Sequence, residues 1–394
     1  MYDFLRLENL KGDFKNLLDA VRGGKATTAF SLVQGAKNHV TSAIPGVKLL
    51  IVPDRLAAET AYTRLKAYVN DRVVFIPDKD DVLLNRKAGS VGLTGRRIEA
   101  LTRLIQNKAE IAVIPAEALL QYYPNVDAFR AAHVTLMKEE EYAPEKVANK
   151  LVSMGYTRVE SMSDRGEFSL RGDVLDVYPL ASEYPIRISY FDDLVESIKF
   201  FRPETMESVK EIGHVTRDEA DKIIGKIKKH RTTNGGANDV IDDVIGRLEL
   251  NPTDRNLVWI TPFIDERSVI FDYLPRDATI IVDEPKLLYD KLELIEKEHS
   301  SRVKSLVESG EVLPIHKESI LTRAYALTYI RVMKRLAFQQ LTALNPVFES
   351  NAVYTLKSQQ PAKYYLDRNV LYTDVKNFNA TGYKVMLCCG DENR

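Results

Sequence analysis

Cysteine is nearly absent. The 394 residues hold two, Cys388 and Cys389, side by side in an apolar run. Adjacent thiols cannot build a disulfide framework, and so sparing a use of cysteine fits a reducing cytoplasm. Histidine is also scarce, and the six scattered residues show no metal-ligand spacing with the cysteines. Surplus charge is missing: 55 Lys and Arg against 56 Asp and Glu leave a net charge of −1. Bulk electrostatics therefore draw the chain neither to nucleic acid nor to a membrane surface. No run of about 18 apolar residues occurs, so no transmembrane helix is expected. The opening MYDFLRLENLKGDFKNLL is charged and lacks the apolar core of a signal peptide. Low-complexity tracts and short-period repeats are missing as well.

What is present is an ordinary globular composition, 45% hydrophobic and 28% charged. The length is too great for one core and implies two or three domains. Residues 1–125 alternate short apolar runs (TAFSLV, KLLIVP, RVVFIP, EIAVIP) with helical patterns such as RLAAETAYTRLKAYV and GRRIEALTRLIQ. That alternation predicts a parallel sheet covered by helices. Near Val126 the pattern changes. After one helix from Pro144 to Met154, GEFSLRGDVLDVYP and PIRISYFDDLVESIKFF alternate polar and apolar residues, as half-buried antiparallel strands do. Residues 126–213 thus read as a small α+β insert. Residues 214–350 return to mixed helix and strand and complete the first domain. In them LVWITPF and ATIIVDEP are expected as buried strands, Leu287 to about Ser309 as a long helix, and the stretch around Gly235–Gly236 as a loop. Residues 351–394 read as the end of the module or the start of a next domain. The terminal YKVMLCCGDENR suggests a strand at the edge of a truncated segment.

Two stretches resemble nucleotide motifs. In SLVQGAKNHVTSA an apolar run precedes Gly35 and Lys37, as in a phosphate-binding loop. A working loop needs more glycine, a Lys for the outer phosphates and a Ser or Thr hydroxyl for Mg²⁺. Here Ala36 precedes the lysine and Asn38 stands in the hydroxyl position. A strand–turn–helix joint with Gly35 easing the turn accounts for the stretch as well. In ATIIVDEP an apolar strand ends in Asp283 and Glu284, the letters of a Mg²⁺-holding acid and a water-orienting one. Without a phosphate cradle such a pair hydrolyses nothing. Together the fragments predict a degenerate helicase-like, P-loop-NTPase-like parallel-sheet domain, interrupted by the insert and without catalytic or metal-binding residues or a cofactor.

The insert carries Arg158, Arg165, Arg171 and Arg187 among its strands. Arg187, Ser189 and Phe191 share one strand face, and Ile188 and Tyr190 share the other. Both faces hold a large apolar residue, so two arrangements fit. Either Arg187 and Phe191 point outward, the composition of an interface hot spot, or Arg187 pairs with a local acid such as Asp192 and Phe191 enters the core. Residues 126–213 contain 11 Lys and Arg against 17 Asp and Glu, a net of −6. Such a surface repels phosphate backbones and favours a protein partner over DNA.

The run MGYTRVESMSDRGEFSLRGDVLDVYP, followed by YPIRISYFDDLVESIKFF, resembles the domain 2 shared by the excision-repair helicase UvrB and the transcription-repair coupling factors (Mfd). FIPDKDDVLLNRKAGSVGLTGRRIEAL and SVIFDYLPRDATIIVDEP extend the resemblance from about residue 10 to about residue 350. The broken phosphate loop is similar to the coupling factors and unlike UvrB. So is the short Asp78–Gly95 stretch, which has no tyrosine cluster where UvrB carries a DNA-separating hairpin. The resemblance implies a UvrB-like module without ATPase activity that recruits UvrA through domain 2, at Arg171, Arg187 and Phe191, with Arg158 beside them. Ser189 stands where that family commonly has an acid. RNA polymerase and DNA would be bound by other parts of a full-length factor, an ATP-dependent translocase. An ATP-binding helicase fragment and a DNA-binding scaffold are the alternatives.

Overall fold

The computed structural model describes residues 12–79, 91–131, 136–179, 184–200, 217–231, 237–250, 258–341, 345–356, 358, 368–383, 385 and 387. The short apolar runs form strands. Before the insert these are β1 (Thr27–Phe30), β2 (Lys48–Val52), β3 (Val73–Phe75), β4 (Ile111–Pro115) and β5 (Tyr123–Pro124). The insert contributes β6 (Thr157–Arg158), β7 (Glu167–Arg171), β8 (Val174–Val177), β9 (Ile186–Phe191) and β10 (Leu194–Phe200). After it come β11 (Arg267–Ser268), β12 (Thr279–Asp283), β13 (Lys334–Gln339) and β14 (Ala352–Thr355).

Seven strands make one sheet in the order β14-β1-β13-β12-β2-β4-β3. Every pair in it is parallel. Alternate residues of its central strands feed two hydrophobic clusters, one on each face. Leu49, Ile51, Ala112, Ile114, Ile280 and Val282 join one, and Leu50, Val52, Ile111, Val113 and Ile281 join the other. Burial on both faces is why these strands read as continuous apolar runs. Helices Asp13–Arg22 and Arg55–Val69 cover one side, through Leu17, Val21, Ala58 and Leu65. Helices Val91–Ile105, Pro285–Glu308 and Arg323–Val332 cover the other, through Leu101, Leu288, Leu292 and Ile330. Each fully buried Leu, Val or Ile among them contributes about 1.5–3 kcal/mol. The sheet is the expected α/β, helicase-like one, and β12 and β13 lie between β1 and β2 although the insert separates them in sequence.

The insert is a separate five-stranded sheet, β10-β9-β8-β7-β6, antiparallel except for the β6–β7 pair. Helix Pro144–Ser153 covers one face, where Val147, Ala148 and Leu151 meet Phe168, Leu175, Ile188, Tyr190 and Val195. β9 and β10 are joined by Asp192–Asp193, with Asp192 at φ 53, a left-handed geometry that aspartate tolerates.

A third cluster is helical. Helices Arg217–Lys228 and Asn238–Leu250 contribute Ile227, Ile241 and Leu248, which pack with Trp259, Phe263 and Val303. Here the structure departs from the expected strand at LVWITPF: Val258–Phe263 is a 3₁₀-helix. The cause is tertiary. Trp259 and Phe263, four residues apart, stack at 5.6 Å, and Trp259 lies 4.5 Å from the ring of His316. An extended strand would point Trp259 and Phe263 the same way but about 13 Å apart, too far to stack. The long helix runs Pro285–Glu308 and the insert helix Pro144–Ser153, close to expectation. The loop at Gly235–Gly236, most of Asp78–Gly95 and most of the terminal YKVMLCCGDENR lie outside the described residues. Among the described residues no helix is long and apolar enough to cross a membrane.

Candidate functional site

At the carboxyl end of the large sheet, the nucleotide-like residues do come together. β1 ends at Phe30, the chain turns, and helix Gln34–Ala43 begins. The turn uses Ser31 in the left-handed region (φ 65), not Gly35. Gly35 lies exposed in the first helical turn, and a Cβ there would meet nothing within 4 Å. The expected role of Gly35 in easing the turn is therefore corrected: neither backbone geometry nor space requires glycine. Lys37, one half-turn on, points inward. Its Nζ donates to Asp283 Oδ1 at 2.6 Å and Glu284 Oε1 at 2.7 Å. Burial alone would lower the lysine pKa, but Asp283 and then Glu284 outweigh it and raise it, so the ammonium stays charged. Glu284, at φ 53, also accepts from the Gln340 N–H at 3.0 Å.

Two backbone donors of the same loop are taken. Ser31 N–H donates to Gln339 O at 3.1 Å, and Val33 N–H to Ser358 Oγ at 2.8 Å. A phosphate cradle needs such N–H groups free and a cation unclaimed. Here two carboxylates hold one ammonium, an acidic balance that opposes a polyphosphate. Asn38 is buried, in the place of a Mg²⁺-binding hydroxyl. Among the described residues no group of His, Cys, Asp and Glu could hold a metal ion.

The insert resolves the two arrangements left open by its alternation. Ile188 and Tyr190 enter the core, while Phe191 is 73% exposed and Arg187 lies on the outward face with it. Arg187 is also paired, but with Asp176 rather than Asp192. Its Nε and Nη2 each donate to one Asp176 oxygen at 2.7 Å, a two-pronged match of guanidinium and carboxylate. The β8–β9 register sets this contact by placing Asp176 opposite Arg187. Arg171, half a strand away, comes within 3.6 Å of the same carboxylate. Arg158, on the short strand β6, pairs with Glu145 at 3.7 Å on the helix side of the domain. Arg165 lies over the ring of Tyr178 at 5.7 Å. Arg171, Arg187 and Phe191 therefore share the outward face, and Arg158 stands apart from the Asp176 cluster.

Asp176 was missed by sequence reasoning. The alternation Leu175–Asp176–Val177 shows an acid opposite to the core side, but its partner depends on cross-strand register, which no local pattern gives. Ser358, which ties up the phosphate-like loop from 325 residues away, carries no sequence signal at all.

Comparison with known proteins places the two sites in context. Residues 134–217 match the UvrB interaction domain family. The chain is 24% identical to the transcription-repair-coupling factor of Bacillus subtilis (strain 168) over 411 aligned positions, covering 97% of this chain and 35% of the relative. It is 28% identical to that of Staphylococcus haemolyticus (strain JCSC1435) over 283, covering 66% of this chain and 24% of the relative. Against the factor of Staphylococcus aureus (strain MRSA252) the figures are 25% identity, 88% and 31%. The chain thus spans about a third or less of the curated relatives it matches. A helicase-like parallel sheet and an insert that matches the UvrB interaction domain make this chain similar to the N-terminal UvrB-homology module of the transcription-repair coupling factors.

Proposed function

We propose that this chain is a protein-recruiting module that brings UvrA to stalled RNA polymerase in transcription-coupled excision repair, and that it hydrolyses no nucleotide itself. The observation that carries the reading is the outward display of Arg187 and Phe191, with Arg187 held in a defined pose by Asp176. A pre-ordered guanidinium beside an exposed aromatic loses little side-chain entropy on binding, which is what a hot spot requires. Arg171 extends the surface, and Arg158, on the helix side of the domain, would meet UvrA apart from it. Lys37, claimed by Asp283 and Glu284, supports the absence of ATPase activity. Contacts to RNA polymerase and DNA would be made by other parts of a whole factor, the parts that would also supply an ATP-dependent translocase.

Calorimetric titration with the cognate UvrA tests the reading. The double variant Arg187→Ala with Phe191→Ala is expected to lose about thirtyfold or more in affinity, as loss of a hot spot does. Unchanged affinity would sink the proposed surface. Equilibrium dialysis at millimolar ATP and Mg²⁺ is expected to show no binding. Turnover that Lys37→Ala abolishes would overturn the non-enzymatic half.

A further inference from the structure

The outward face of the insert carries a cation that the reading above does not use. In the β9–β10 register, Lys199 stands directly opposite Arg187, Ser197 opposite Ser189, and Leu194 opposite Phe191. The β8–β9 register adds Asp176 on the far side of Arg187. Across the strands the face thus runs Asp176, Arg187, Lys199 in one row, then Arg171 and two serines, then Phe191 and Leu194. Arg171, Arg187 and Lys199 set three positive charges against one nearly buried carboxylate. Asp176 is committed to the two arginines, and among the described residues Lys199 has no ion-pair partner. This local excess is set in a domain whose net charge is −6 over residues 126–213.

The same row opens onto a shallow depression lined by Lys138, Glu139, Ser189, Glu196, Ser197 and Lys199. Lys138 is offset by Glu139 at 3.6 Å. Glu196, at the irregularity between Val195 and Ser197, lines the depression too and counters Lys199 within it, so the excess of positive charge lies along the adjoining Arg171 and Arg187. The serines floor the depression with hydroxyls and bring no charge of their own. At the edge of the depression, where Lys199 stands opposite Arg187, a carboxylate would meet two cations and, in the next row, the hydroxyls of Ser189 and Ser197. An apolar neighbour beside it would rest on Phe191 and Leu194, which are exposed together.

Building on the recruitment reading, we infer that Lys199 is a further specificity-determining residue of the UvrA-facing surface, and that this depression receives an acidic side chain of UvrA next to an apolar one. Charge complementarity selects that occupant, and the depression is continuous with the Arg187–Phe191 face.

The test is titration of UvrA against wild type, Lys199→Ala, Lys199→Arg and Lys199→Glu across a series of salt concentrations. Lys199 is exposed, so all variants are expected to melt with wild type. Lys199→Ala is expected to weaken binding about threefold and flatten its salt dependence, since an exposed charge pair acts mainly through screened attraction. Lys199→Glu should weaken it about tenfold or more, because repulsion replaces attraction, and Lys199→Arg should bind like wild type. If Lys199→Glu binds within about twofold of wild type while the Arg187→Ala, Phe191→Ala variant does not bind, the role of Lys199 is wrong and the recruitment reading stands. If wild type itself does not bind UvrA, both fall.

Discussion

Lys37 and Asp176 are the two residues around which the sites are organised, and each is defined by charge neutralisation. Lys37 lies within 2.7 Å of two carboxylates, one of them buried. Lys37→Met would leave Asp283 and Glu284 facing each other without a cation, at a cost of about 3–5 kcal/mol. Adding Asp283→Asn should recover much of that loss, and urea denaturation of the three proteins measures both. A Lys37→Met variant as stable as wild type would show that the ion pairs contribute nothing. Asp176→Ala would release Arg187 and Arg171 into mutual repulsion. Its expected signature is weaker UvrA binding by about tenfold with Phe191 untouched, because the guanidinium loses its fixed pose. At this scale the letters of Lys37, Asp283 and Glu284 were legible, and so was the face shared by Arg187 and Phe191. The counter-ion was not: naming Asp192 instead of Asp176 follows from looking along the chain when the partner lies across the sheet.

Single elements were mostly legible, because period and composition are local properties. The four N-terminal strands, the Pro144 helix and the long helix after Asp283 follow from them. The 3₁₀-helix Val258–Phe263 did not, since an apolar run of that length fits either form and the surrounding rings decide. The histidines packed around this element carry a pH response. His316 is fully buried, with Nδ1 3.1 Å from both the N and the O of Leu313 and Nε2 2.9 Å from Trp259 O; the neutral ring that accepts from the Leu313 N–H at Nδ1 donates to Trp259 O from Nε2. Burial pushes its pKa down to about 4, and burial lowers that of His299 too. In the unfolded chain both return to the ordinary value near 6.5. Between about 6.5 and 4 the unfolded state binds the extra protons, so stability falls as pH drops through that window and is flat above it. Melting temperatures between pH 7.5 and 5 are expected to decline, and His316→Gln should remove most of the slope. A slope unchanged by His316→Gln would place its origin elsewhere. A related outcome concerns Trp259, whose indole donates to Glu311 O at 3.1 Å. Its fluorescence should report unfolding of the helical cluster alone.

The whole molecule is joined in a way that sequence order hides. β12 and β13 enter the sheet between β1 and β2, so the main sheet cannot close until the chain beyond the insert has been made. The insert has its own core and its own sheet. Hydrogen exchange should therefore show β1, β2, β12 and β13 opening as one cooperative unit, with β7 to β10 opening as another. Exchange of β12 and β13 at the rate of the insert strands would contradict that division.

Composition and pattern by themselves determined that this chain is an α/β body with an acidic, alternating insert, that the stretch around Lys37 lacks the glycine and hydroxyl of a phosphate loop, and which Arg and Phe share a strand face. These follow from periods of 2.0 and 3.6 and from which residue types a chemistry needs, all readable along the chain. Only the tertiary structure decided which face of β9 is outward, that Asp176 holds Arg187, that Lys37 is claimed by two carboxylates some 246 residues away, and that Ser31 rather than Gly35 makes the turn. Those outcomes depend on strand register and on contacts between distant segments, and burial, not local preference, sets their energies.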